Sequence, residues 1–104
     1  MRMVMTVLGA RVPQERWAEL EQTYRERLAP NVPPQMERSL LVQSTDDPET
    51  WQGISFWRSR EALEEYRRSV DTPGGVLLFR SVGTEPTLRM FEVAQDVAAG
   101  SATT

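Results

Sequence analysis

The sequence predicts an α+β fold of the order β-α-β-β-α-β, a four-stranded antiparallel sheet that carries its helices on one face. Three observations lead there. Four stretches are apolar in the extended pattern of strands. Two others space their apolar residues at i, i+3 and i+7, as one face of a helix does. The turn-forming run Asp46-Asp47-Pro48-Glu49 joins the two middle strands by a link short enough to make them an antiparallel hairpin. A chain of 104 residues fits a single core. Residues 1–96 are expected to form that one domain, and 97–104, small and polar, a flexible tail.

Residues 2–12, RMVMTVLGARV, read as the first strand. Met3, Met5 and Val7 point one way, and Val4, Thr6, Leu8 and Ala10 the other, so both faces want cover. Pro13 suits a first helical turn, where its missing N–H costs nothing. From Gln14 to about Ala29 the stripe Trp17, Leu20, Tyr24 and Leu28 predicts a helix, supported by Glu21 and Arg25 at i, i+4 and stopped by Pro30. The stiff loop from Pro30 to Pro34 leads into a second strand over Met36–Thr45. In the third strand, Thr50–Trp57, one face holds Trp51, Gly53, Ser55 and Trp57 and the other Gln52, Ile54 and Phe56. Ser59 is a good N-cap for a second helix with the stripe Leu63, Tyr66 and Val70. Val76–Ser81 reads equally as a short helix or an extended run, and Thr87–Gln95 is the last strand. This is the ferredoxin-like arrangement. Its helices cover one sheet face. The other face also carries large apolar side chains, so it calls for a partner sheet or a pocket, and a homodimer is expected.

Composition removes many mechanisms. The chain has no Cys and no His, and all 12 basic residues are arginine. There is no thiolate nucleophile, no imidazole base or axial ligand, and no lysine for a Schiff base. No cofactor and no metal are therefore expected. A net charge of −3 argues against a nucleic-acid partner. No apolar run reaches the roughly 20 residues of a membrane span. Met1–Val12 lacks the features of a signal peptide, so a cytoplasmic protein is expected. Gly74-Gly75 lacks the spacing and the acidic anchor of a dinucleotide loop.

The run DDPETW followed by FWRSREALEEY resembles the antibiotic-biosynthesis-monooxygenase family, on Asp46, Asp47, Pro48, Trp57, Ser59, Glu61, Ala62 and Leu63. The element order matches that family over about residues 2–95. The resemblance implies a dimeric α/β barrel with a pocket between sheet and helices in each subunit. It implies a role among cofactor-independent monooxygenases of aromatic polyketides, haem-degrading enzymes and related proteins. The haem-degrading members use a helix-borne Trp, a His and an Asn on the first strand. Here Tyr66 stands at the Trp position, there is no His, and residues 2–12 hold no Asn, which disfavours haem degradation of that type. The anthrone-oxygenase-like members carry Asn and Tyr where this chain has Gly53 and Leu63, and Trp57 is the match. Ser55 stands where many members have Glu, and Pro33-Pro34-Gln35 replaces their Pro-Gly turn.

Four residues are candidates for the chemistry. Trp57 would stack on an aromatic substrate and Tyr66 would hydrogen-bond a quinone-like oxygen or an oxyanion, together the expected catalytic pair. Core packing is the competing role of each. Trp51 would extend an aromatic wall, and Arg80 would hold an acidic substrate group, as the expected substrate-binding pair. An ion pair with Glu85 or Glu92 is the competing role of Arg80. Strand alternation leaves open whether Trp57 faces the helices or a partner chain. The expected function is a cofactor-independent monooxygenase-like protein acting on or binding a small aromatic compound. A non-catalytic ligand-binding or purely structural barrel is the alternative.

Overall fold

A computed structural model of the protein describes residues 2–99. The sheet has four strands: β1 (Val4–Arg11), β2 (Met36–Gln43), β3 (Thr50–Trp57) and β4 (Thr87–Glu92). They lie in the order β2-β3-β1-β4, with every neighbouring pair antiparallel. Three helices are α1 (Trp17–Thr23), α2 (Arg60–Ser69) and α3 (Gly74–Ser81). The fold is ferredoxin-like, with one helix more than the two read from spacing. The ambiguous segment Val76–Ser81 belongs to α3: Pro73 opens it, its carbonyl accepting the N–H groups of Val76 and Leu77, and Leu78 and Phe79 are buried. Gly83, with φ +81°, lets the chain leave α3 in the left-handed conformation that glycine tolerates.

The first helix differs from the uniform run expected over Gln14 to about Ala29. It opens as a 3-10 turn at Gln14–Arg16 and passes through α1. It then widens into a π-helical turn at Tyr24–Leu28 and closes as a 3-10 turn at Ala29–Asn31. Its stripe packs as the spacing implies, with Leu20 buried and Trp17, Tyr24 and Leu28 against the core. Arg16 pairs with Glu19. Ser59 caps α2, its Oγ accepting the Ala62 N–H at 3.1 Å. Strand β4 ends at Glu92, short of Gln95. Residues 100–104 of the expected tail lie outside the described residues.

Register decides the faces. Val4 pairs with Trp57, Thr6 with Ser55, Leu8 with Gly53 and Ala10 with Trp51. These residues form the helix side, where the buried core lies in two clusters. One holds Val12, Leu20, Trp51, Leu78, Phe79 and Val82; the other holds Val4, Trp57 and Leu63. The opposite sheet face carries Met5, Val7, Val42, Ile54 and Phe56, with Phe91 at its β4 edge 40% exposed. Among the described residues no helix is long and apolar enough to cross a membrane.

Candidate functional site

The two core clusters sit at opposite ends of β3, each built on a tryptophan. Between Trp51 and Trp57 the helix face of the strand drops to Gly53 and Ser55. Above this step stands the start of α3, where Gly74 and Gly75 also lack side chains. Small residues in both floor and roof leave a cavity of about 380 Å³, walled on one side by the π-helical turn and on another by α2. A narrower chamber of about 80 Å³ adjoins it. The two share Leu8, Met36, Ser55, Tyr66 and Gly75 as walls. A β-carbon added to Gly75 would come 2.7 Å from Leu8 Cδ1, which shows how closely α3 approaches β1 there.

Trp57 faces the helices, the alternative that strand alternation leaves open. It is 3% exposed, and its indole N–H donates to Thr6 Oγ1 at 3.0 Å, which fixes the ring. Tyr66, two turns into α2, stands against it with ring centroids 5.0 Å apart and planes tilted by 35°. The Tyr66 hydroxyl accepts the Gly74 N–H at 3.0 Å. Its own proton is then left to donate, and the residue borders both chambers. Ser55 adds a second hydroxyl at the floor, and on the far wall Tyr24 and Ser39 hydrogen-bond each other at 2.8 Å.

The expected substrate-binding pair is placed elsewhere. Trp51 is buried in the other core cluster against Trp17, with ring centroids 6.1 Å apart, and lines neither chamber. Its Nε1 has no acceptor among the described residues. Arg80 lies on the solvent side of α3 and pairs with Glu85 at 2.8 Å, the competing role its sequence context allows. The cause is helical geometry: Leu78 and Phe79 take the inward positions of α3, so Arg80 turns outward. The site instead recruits Thr6, Tyr24, Ser39, Gly75 and two arginines, Arg27 and Arg67. The one signal in the sequence that could have pointed to a cavity there is the large-small-small-large pattern on the Trp51–Trp57 face of β3. No group of three His, Cys, Asp or Glu side chains stands together as a metal site among the described residues.

The sequence profile described as antibiotic biosynthesis monooxygenase matches residues 3–72, which span β1 through α2 and include both Trp57 and Tyr66. The chain belongs to the antibiotic biosynthesis monooxygenase family. Membership supports a monooxygenase-like or ligand-binding role. Solved structures of this family's fold superpose closely on this member. A heme-degrading protein from Mycobacterium tuberculosis is 22% identical with a TM-score of 0.69, over 93% of this chain and 97% of that one. A candidate antibiotic biosynthesis monooxygenase from Bordetella bronchiseptica is 17% identical with a TM-score of 0.69, over 94% of this chain and all of that one, 100%. A candidate from Nitrosomonas europaea is 15% identical with a TM-score of 0.69, over 92% of this chain and 94% of that one. At these identities the likeness is one of fold. Among curated proteins none matches this chain.

Proposed function

We propose that this family member binds a planar phenolic or quinone-like aromatic in the cavity between sheet and helices and oxygenates it without a cofactor. The observation that carries the reading is the Trp57–Tyr66 pair. Tyr66 borders both chambers and offers a hydroxyl whose proton is free to donate, and Trp57, held by Thr6, backs it from the narrow chamber. A cavity of about 380 Å³ lies within the usual range for small-molecule sites, about 300–1,000 Å³. In this cofactor-free reading the electrons for oxygen chemistry would come from the substrate itself. An activated ring CH2 beside a phenolate gives up its two hydrogens and, in all, four electrons to O2. One oxygen atom becomes the new ring carbonyl and the other leaves as water. Tyr66 would hydrogen-bond the phenolate oxygen and stabilise the charge as it builds.

The test is calorimetric titration with a hydroxylated anthraquinone, followed by oxygen uptake with the corresponding anthrone. Saturable binding is expected, and Tyr66→Phe should weaken it up to about tenfold, the worth of one hydrogen bond. Absence of binding, or unchanged binding in Tyr66→Phe, overturns the site assignment. Binding without oxygen uptake leaves a ligand-binding module, a reading favoured by the lack of any imidazole base. We also infer that two chains pair through the sheet face of Met5, Val7, Ile54 and Phe56, as the apolar character of that face supports. Light scattering at micromolar concentration should give twice the chain mass; a monomer mass sinks the pairing.

A further inference from the structure

Of the arginines, only Arg16 and Arg67 are half-buried; the others are exposed. Arg16 has a carboxylate partner in Glu19. Arg67 has none among the described residues: its Nη2 lies 3.6 Å from the thioether sulfur of Met90. Arg67 is thus a cation without a carboxylate partner among the described residues, and it stands at a cavity. Arg67 is also the one charged side chain bordering the narrow chamber, where the hydroxyls of Thr6, Ser55 and Tyr66 gather. Neither this chamber nor the wide one is lined by any Asp or Glu. Arg27, the one charged residue of the wide cavity, is solvent-exposed on the π-helical turn and needs no counter-ion there.

The two volumes divide the labour. The wide cavity, about 380 Å³, accepts a ring system, while the narrow one, about 80 Å³, accepts only a small substituent. We propose that the ligand is a planar aromatic bearing a carboxylate, with its rings in the wide cavity and its carboxylate in the narrow chamber, ion-paired to Arg67. This rests on the small-aromatic reading above and adds the charge and the residue that reads it. The planar guanidinium suits a carboxylate because it presents two parallel donors. Arg67 is thereby a specificity-determining residue, one step along α2 from Tyr66.

A matched pair of probes tests this: anthraquinone-2-carboxylate and its uncharged carboxamide, titrated calorimetrically into the intact protein. The acid should bind about tenfold tighter or more, as hydrogen bonds between charged groups imply. The preference should shrink when salt rises from about 0.02 M to about 0.5 M. Arg67→Gln should abolish the preference, and Arg67→Lys should keep part of it. Arg27→Gln should leave the ratio intact. Equal binding of acid and amide overturns the proposal while leaving the aromatic-pocket reading in place. A preference that survives Arg67→Gln, or vanishes with Arg27→Gln, overturns the assignment to Arg67. Failure of both probes and of the neutral quinone to bind overturns the pocket reading itself, and this proposal with it.

Discussion

Trp57 serves packing and site at once, because it is 3% exposed yet forms a wall of the narrow chamber. Its burial beside Val4 and Leu63 means that truncation opens a large void. Trp57→Ala should therefore cost about 3–5 kcal/mol in denaturant unfolding. A loss below about 1 kcal/mol would show that the ring packs far more loosely than its burial implies. The sequence makes Trp57 and Tyr66 meet on one condition, that Trp57 faces the helices. A strand end, a two-residue link and a helical stripe through Leu63, Tyr66 and Val70 then bring the rings to one place. The face that Trp57 occupies is not legible, because β3 carries large apolar side chains on both sides. Its pairing with Val4 settles it, and that is a long-range fact. Arg80 shows the same limit. Its neighbours in VLLFR suggest an inward charge, while the register of α3 turns it out to Glu85.

At the scale of elements, the site exists because small residues of β3, Gly53 and Ser55, and of the start of α3, Gly74 and Gly75, border one cavity. The tryptophans at either end of β3 hold the two clusters, and Gly53 and Ser55 keep the middle low. Alanine at position 75 separates stability from site. It gains helix propensity of up to about 1 kcal/mol, while its methyl displaces only the tip of Leu8. Gly75→Ala should thus leave the melting midpoint nearly unchanged and weaken aromatic binding severalfold, since the new methyl intrudes on a wall shared by both chambers. A lowered midpoint with unaltered binding would contradict this. Strand order and hairpin are readable from period and turn residues alone. Helix α3 is not, because a short apolar run carries no period long enough to separate helix from strand. The π-helical turn at Tyr24–Leu28 is also unreadable, since it shifts the stripe by a fraction of a turn.

Across the whole molecule, exposed ion pairs tie distant segments. Arg11 reaches Asp47 and Glu49, fastening the end of β1 to the β2–β3 turn. Hydrogen bonds from Arg11, Arg16 and Arg80 hold the carboxyls of Asp47, Glu19 and Glu85 below the usual carboxylate range. Depressed native values mean that the unfolded chain binds protons first. The stabilisation is present above the ordinary carboxyl range of about pH 4 and is lost as pH falls through the native values. Denaturant midpoints should be flat from about pH 6 to 8 and decline below about pH 4. The decline should be small and weakened by salt, because these pairs are exposed; a midpoint that rises on acidification would contradict it. The position of β1 bears on how the molecule is made. It lies inside the sheet, yet one of its neighbours is β4, so that Leu8 pairs with Leu88 across most of the chain. During synthesis β1, β2 and β3 emerge first and can assemble, but β1 then has a raw edge of unpaired N–H and C=O groups until β4 arrives. Closure of that long loop is the entropic toll on the folding rate. Until it closes, a nascent chain presents an apolar, half-finished sheet to every neighbour on the polysome.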